Sequence, residues 1–375
     1  MIESSDKKFI ILAAGGTGGH IFPAEALAEE FLSFGHRVML VTDSRFANFK
    51  TGALSQVETK TINTGSASGG IMKKISGVFG IIRGISQAYF MLKKLNPDLV
   101  IGFGGYPSFP TVFAAIKAGI PTFIHEQNSV LGRANRLLAG GVDYIATSFP
   151  DTMMIEEKDK NKVVLVGNPV RNSVKILRNI PYSDPALDGK FNILVTGGSQ
   201  GATIFSDVVP ASIALLPENL RSRIRIDQQC RKDDVEKTKE YYNNIGVSAD
   251  IDSFFVDLPK RLAWAHLVVA RSGSSTVFEL AEVGRPAILV PLPTSMDNHQ
   301  YYNANAFEEA GGGWLMNQDG FTAESLAARL EAFLMAPDAL IKAAAGAKKL
   351  RTRDAAEGCV KLALALAESK KGTVV

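Results

Sequence analysis

Cysteine is scarce in this chain, with two residues among 375, Cys230 and Cys359, far apart and in unlike surroundings. Without a CxxC pair or any ligand spacing, a disulfide framework and a cysteine metal knuckle are both excluded. Charge of one sign is also missing: the formal net charge is +3, too mild for a dedicated nucleic-acid binder. No apolar run reaches the roughly 18 residues that cross a bilayer, because glycine, proline or charge interrupts each one. The opening MIESSDKK is polar and its following apolar run, 9–14, is short. A secretory signal needs a basic start, a longer apolar core and a small-residue cleavage site, so none is expected. Neither G-x-G-x-x-G nor a loop ending in Gly-Lys-Ser/Thr occurs, so the standard dinucleotide and P-loop fingerprints are absent.

Glycine, by contrast, is plentiful at 34 residues, and it recurs in one pattern. FIILAAGGTGG begins at Phe9 and FNILVTGGSQG at Phe191, so F-x-I-L-x-x-G-G-[ST]-x-G occurs twice. Each copy reads as an apolar strand, a glycine loop and a helix start. After the first copy a helix is expected from near Pro23 to Gly35, then strands at 37–42, 98–101, 121–125, 142–147 and 163–166. A third glycine loop, GFGGYPSFP, starts at Gly102. Strands at 191–196, 224–228, 251–255, 267–270 and 287–290 follow, with helices between and an alanine-rich helical tail from about 338. Strands alternating with helices imply parallel sheets with right-handed crossovers. The length suits two such domains. The break at GNPVR (167–171) places the hinge, dividing the chain into 1–166 and 167–341, with a C-terminal helix of about 342–375 packing back on the first part. The fold class is therefore α/β with two Rossmann-like domains facing a cleft, and ligands belong at the carboxyl ends of the strands.

The loops bear on chemistry because glycine lets the backbone approach an anion, and a helix start supplies N–H donors. An NAD enzyme remains conceivable, since Asp43 follows the second strand where a ribose-binding acid would stand, yet such an enzyme needs one glycine loop and here there are two. Of five histidines, His20 closes the first loop, His125 opens HEQN and His299 sits in DNHQ. His36 and His266 read as ordinary surface or strand-edge residues. The imidazole of His20, presented by a glycine loop, suits a general base. Glu279 admits two readings, the acid of a T-x-x-E capping box begun by Thr276 or a carboxylate for ribose hydroxyls. Asp250-Ile-Asp252 matches the D-x-D of metal-dependent glycosyltransferases, a pattern that also recurs by chance. The stretch GGIMKKISGVFGIIRG (69–84) mixes apolar and basic residues, among them Ile71, Lys73, Lys74, Phe79 and Arg83. It reads either as a core-facing helix or as a patch for an anionic bilayer.

Together GGTGGH (15–20), GFGGYPSFP (102–110), HEQN (125–128), GNPVR (167–171), GGSQGA (197–202), RSGSSTVFE (271–279) and DNHQ (297–300) resemble the MurG family, N-acetylglucosaminyltransferases that convert lipid I to lipid II in peptidoglycan synthesis. The resemblance implies a GT-B fold and inverting transfer of GlcNAc from UDP-GlcNAc to the 4-hydroxyl of N-acetylmuramic acid, with neither metal nor cofactor. It implies that Ser199 faces the diphosphate, Glu279 the ribose and Gln300 the donor sugar, completed by Arg171, Asn128, Thr17, Gly18 and Gly19. Gly104, Gly105 and Tyr106 are expected to meet the acceptor, although Pro107 and Phe109 enlarge that loop relative to some relatives. His20 is the expected base, assisted by His125 or Glu126. The implied partners are UDP-GlcNAc, lipid I, an anionic membrane surface and other cell-wall synthesis proteins, at the cytoplasmic face of the inner membrane, where the enzyme is peripheral. A UDP-sugar 2-epimerase and a nucleotide-sugar sensor without turnover are the competing readings.

Overall fold

Strands buried on both faces read as unbroken apolar runs, and FIILA and LVIG are two such runs side by side. The structure, a computed structural model, describes residues 7–15, 18–44, 52–63, 71–187, 189–198, 201–352 and 354–371. The chain forms two compact units, 1–171 with 352–375, and 172–351. The first runs β1 (Phe9–Ala13), α1 (Gly18–Ser33), β2 (Arg37–Thr42), β3 (Glu58–Thr61), α2 (Ile71–Leu95), β4 (Leu99–Gly102), α3 (Gly105–Lys117), β5 (Thr122–Glu126), α4 (Arg133–Ala139), β6 (Tyr144–Thr147) and β7 (Val163–Leu165). Its sheet has the order β3-β2-β1-β4-β5-β6-β7, and every pairing is parallel. Alternation along β1 divides the core. Ile10 and Leu12 face α1, while Phe9, Ile11 and Ala13 face the side covered by α2 and α3. Each of the larger of these side chains, Ile, Leu and Phe, contributes about 1.5–3 kcal/mol on burial.

The second unit runs α5 (Asn172–Lys175), β8 (Phe191–Thr196), α6 (Thr203–Ala214), α7 (Glu218–Arg221), β9 (Ile224–Gln229), α8 (Val235–Asn244), β10 (Ser248–Asp252), α9 (Leu258–Trp264), β11 (Leu267–Ala270), α10 (Ser274–Val283), β12 (Ala287–Leu289), α11 (His299–Glu309), β13 (Gly313–Leu315), α12 (Ala323–Met335) and α13 (Asp338–Ala347). Its sheet order, β10-β9-β8-β11-β12-β13, repeats the first around the other glycine-loop strand. The last helix, α14 (Ala355–Lys371), returns to the first unit, where Cys359, Val360 and Ala363 join the cluster formed by Ile10, Leu12 and Phe31. Gly167 sits where this returning chain passes: its φ is +83°, and a Cβ there would lie 2.3 Å from Thr352 Cβ. Only glycine fits both conditions.

Several elements differ from the sequence reading, each for a local reason. α1 begins at Gly18, so Pro23 lies in its second turn and removes one helix hydrogen bond. The strand expected at 251–255 is instead 248–252. Its end is fixed by the Asp252 carboxylate, which accepts from the N–H groups of Ser253 (2.6 Å) and Phe254 (3.4 Å). Polar β3 and three-residue β13 have no apolar alternation to announce them. Of the two readings of His36 and His266, surface or strand edge, the strand edge holds, and both are buried. Each stands just before a strand and accepts a main-chain N–H through Nδ1, from Lys8 at 3.2 Å and from Asn192 at 3.1 Å. Burial lowers the pKa of both.

Candidate active site

In a doubly wound sheet the strand order reverses beside the first strand, and the loops on either side diverge to leave room for a ligand. In the first unit those loops follow β1 and β4. Gly15 is held where they meet: a Cβ would lie 2.8 Å from Pro107 Cβ and 2.9 Å from Thr42 Oγ1. Gly18, Gly19 and His20 form the first turn of α1, where main-chain N–H groups have no helical partner. Thr17 lies outside the described residues. Across from them Gly104 (φ +82°) and Gly105 (φ +72°) bring the backbone close to the His20 ring, with their Cβ positions 3.3–3.4 Å from its atoms. The glycine loop expected through 110 is shorter than predicted. α3 starts at Gly105, so Pro107 and Phe109 belong to the helix instead of enlarging the loop, and Phe109 stacks on Phe113. Tyr106, in that first turn, is 52% exposed and open to a ligand.

His20 does not meet His125 or Glu126 directly. Its Nδ1 lies 2.9 Å from Oε1 of Gln127, a residue the sequence reading passed over. Gln127 Nε2 in turn lies 2.8 Å from the His125 carbonyl and 3.0 Å from His125 Nδ1. His125 Nε2 reaches the Gly167 carbonyl at 3.0 Å. These contacts give His125 and Glu126, expected to assist the chemistry, hydrogen-bond partners within the fold and no direct bond to His20. The His125 side chain is wholly buried with both nitrogens engaged, and burial pushes its pKa down to about 4 against the opposing effect of the Gly167 bond. The buried Glu126 carboxylate organises its own loop. Oε1 accepts from Asn128 N (3.0 Å) and Nδ2 (3.1 Å), and Oε2 from Gly132 N (2.9 Å) and Asn135 Nδ2 (2.8 Å). Asn128 is thereby oriented. Arg171, the last residue before the chain enters the second unit, has its guanidinium 4.1 Å from the centre of the Phe22 ring.

A buried neutral histidine has a consequence for stability. Because the folded pKa of His125 is depressed, its contribution is present above pH 6.5 and is lost as the pH falls toward 4. A shift of that size amounts to on the order of 3 kcal/mol. His36 and His266 act with the same sign. Urea unfolding at pH 7 and pH 4.5 is expected to show a smaller acid loss for His125→Asn than for the parent chain; equal losses would contradict the assignment.

In the second unit the corresponding loops follow β8 and β11. Gly197 packs so tightly that a Cβ would lie 2.4 Å from Ala202 N, and Gly198 has φ +75°. Ser199 lies outside the described residues. After β11, Ser272 ties two helix starts together: its Oγ donates to the Gln300 carbonyl (2.7 Å), and its own carbonyl accepts from Asn303 Nδ2 (3.1 Å). Gln300 Oε1 accepts from Leu292 N at 3.0 Å, which fixes the amide in the first turn of α11. The capping-box reading of Thr276 is overturned. α10 starts at Ser274 behind Gly273 with no side-chain cap, so Thr276 is already helical and Glu279 is buried in the second turn. The helix does close at Gly284 in the left-handed conformation, as expected. The D-x-D carboxylates do not form a pair facing one ion. Asp250 bonds Arg261 (2.7 Å), which also holds Asp227 (2.6 Å) and Asp257 (2.8 Å), and Asp252 terminates its strand.

Two doubly wound parallel sheets, each with a glycine turn at its point of reversal, form the GT-B architecture, and the family matches make this a glycosyltransferase. Residues 10–147 match the glycosyltransferase family 28 N-terminal domain and residues 192–358 its C-terminal domain. The chain belongs to this family, and within it to the MurG enzymes. A UDP-N-acetylglucosamine--N-acetylmuramyl-(pentapeptide) pyrophosphoryl-undecaprenol N-acetylglucosamine transferase from Paramagnetospirillum magneticum is 50% identical over 370 residues, covering 98% of this chain and 100% of that protein. The Rhodospirillum centenum protein of the same name is 50% identical over 92% of this chain and 91% of its own. Among solved structures, MurG of Acinetobacter baumannii superposes with a TM-score of 0.77 at 29% identity, over 95% of this chain and 99% of that one. A UDP-GlcNAc 2-epimerase from Neisseria meningitidis reaches 0.67 at 14% identity, over 96% of this chain and 100% of that one, a likeness of fold alone.

Proposed function

We propose that this protein transfers GlcNAc from UDP-GlcNAc to the 4-hydroxyl of N-acetylmuramic acid in lipid I, giving lipid II for peptidoglycan synthesis. The observation that carries the reading is the 50% identity, along 98% of the chain, to a transferase named for these substrates. His20 Nε2 takes the acceptor proton as the 4-oxygen bonds to the anomeric carbon. The bond from that carbon to the UDP oxygen breaks on the opposite face, so the configuration inverts. Gly197, Gly198, Ser199 and the N–H groups opening α6 receive the charge growing on the diphosphate. Glu279 holds the ribose and Gln300 the donor sugar, with Arg171, Asn128, Thr17, Gly18 and Gly19 completing donor binding. Gly104, Gly105 and Tyr106 receive the acceptor. Labelled UDP-GlcNAc supplied with a lipid I analogue is expected to yield labelled disaccharide, with UDP-GalNAc a poor donor. Sugar isomerisation in the absence of acceptor would favour an epimerase, and tight UDP binding without turnover a sensor.

The membrane reading rests on α2. Among the described residues no helix is long and apolar enough to cross a membrane. Yet Phe79 (69% exposed), Ile82 (55%) and Phe90 (72%) lie within one stripe of α2 at helical spacing, beside exposed Arg83. The helix begins at Ile71 and carries Lys73 and Lys74, whose side chains lie outside the described residues. This apolar face with a basic rim holds the enzyme peripherally on an anionic, cytoplasmic leaflet. Changing Lys73, Lys74 and Arg83 together to glutamate is expected to weaken cosedimentation with anionic vesicles by about a hundredfold or more, at roughly 1 kcal/mol per basic residue. Binding unaffected by salt and by these changes would refute the patch.

A further inference from the structure

The hydrogen bonds behind His20 admit only one assignment of protons, and it can be read from two fixed ends. A main-chain carbonyl can only accept. The group of Gln127 that lies 2.8 Å from the His125 carbonyl must therefore be its NH2. Its amide oxygen then faces His20 Nδ1 at 2.9 Å, so that nitrogen must carry the hydrogen. At the far end, His125 Nε2 lies 3.0 Å from the Gly167 carbonyl and must likewise be a donor. In a neutral ring this leaves His125 Nδ1 as an acceptor, and it receives the second N–H of Gln127 at 3.0 Å. Every proton along Gly167, His125, Gln127 and His20 points the same way.

We propose that Gln127 is a positioning residue of the transfer reaction, holding His20 as its Nδ1–H tautomer so that the lone pair sits on Nε2. The inference rests on His20 being the base. That nitrogen is the one on the side of Gly105, whose Cβ position lies 3.4 Å from it, and among the described residues it makes no hydrogen bond. Neutral histidine side chains in water favour the other tautomer, with hydrogen on Nε2, which could not accept a proton there. The orientation is set by the bond the remote nitrogen makes, and here the partner is an uncharged amide. The amide cannot rotate to offer its NH2 to His20, because its oxygen would then face both the His125 carbonyl and His125 Nδ1. Burial of Gln127 and His125, both 0% exposed, keeps water from substituting for either partner. The HEQN motif thus divides its work. His125 and Gln127 set a proton pattern, while Glu126 anchors the loop through four hydrogen bonds that its carboxylate accepts.

The test uses the full chain with UDP-GlcNAc and a lipid I analogue, together with ¹⁵N NMR of the histidine rings. In the wild-type protein the neutral His20 ring is expected to show hydrogen on Nδ1; hydrogen on Nε2 overturns the proposal without any substitution. Gln127→Met keeps the length and removes both polar groups. It is expected to move His20 toward the Nε2–H form and lower kcat about 100-fold, below the ~10⁴ lost when a carboxylate orienter is neutralised in a serine hydrolase, with KM for UDP-GlcNAc within twofold. An unchanged tautomer or kcat within twofold of wild type overturns it. His20→Ala separates the two readings. If that variant turns over normally the base assignment fails, whatever the tautomer. If it is inactive while Gln127→Met is not, the positioning role alone fails.

Discussion

His20→Ala is expected to lower kcat by roughly a hundred- to ten-thousand-fold, the range typical of a general base, while UDP affinity changes by less than twofold. The asymmetry follows from where the residue sits. His20 is in the first turn of α1, facing the Gly104–Gly105 backbone, and among the described residues its one polar bond is to Gln127 behind it. Removing the imidazole takes away a proton acceptor and leaves every residue assigned to the donor in place. Alanine is a strong helix former, so α1 should persist and a measured loss would report chemistry instead of unfolding. Calorimetric titration with UDP beside the transfer assay checks both halves of the statement. Normal turnover would remove His20 as base; lost UDP binding would make it a donor-site residue.

Glu279→Gln is expected to act in the opposite way, raising KM for UDP-GlcNAc about 10- to 100-fold with kcat at saturation nearly unchanged. A hydrogen bond to a charged group is worth about 1.5–3 kcal/mol, and the amide keeps the shape while losing the charge and one acceptor. Glu279 is buried in the second turn of α10, on the helix that follows the β11 loop. A contact made equally in ground and transition states appears in KM alone. Steady-state kinetics over donor concentration decides the matter: a fall in kcat with unaltered KM would place Glu279 at the reacting bond and contradict the ribose assignment.

The double occurrence of F-x-I-L-x-x-G-G made both sheets legible, because central parallel strands are apolar throughout and their glycine turns are sterically required, as Gly15 and Gly197 show. Two of the edge strands were not, since ETKT of β3 is polar and GWL of β13 too short to display a period. Of the candidate site, the closeness of His20 to Gly104 and Gly105 was legible because loop glycines advertise an approach. Gln127 was not. A buried glutamine carries no local signal, and its importance lies in bonds to His20, 107 residues away, and to its neighbour His125. The same limit explains His125. The motif showed a histidine at a strand end, but only the packing around β5 shows that its ring is sealed from solvent. Thr276 failed for another reason: the capping-box spacing was present, but Gly273 had already started the helix upstream.

The central claim, inverting transfer to lipid I, is tested most directly by NMR of the product formed from anomerically ¹³C-labelled UDP-GlcNAc and a lipid I analogue. The predicted product carries the label in a β-1,4 linkage to N-acetylmuramic acid, with release of one UDP per bond formed. An α-linked product, or label returned as an isomerised UDP-sugar with the acceptor untouched, would contradict it.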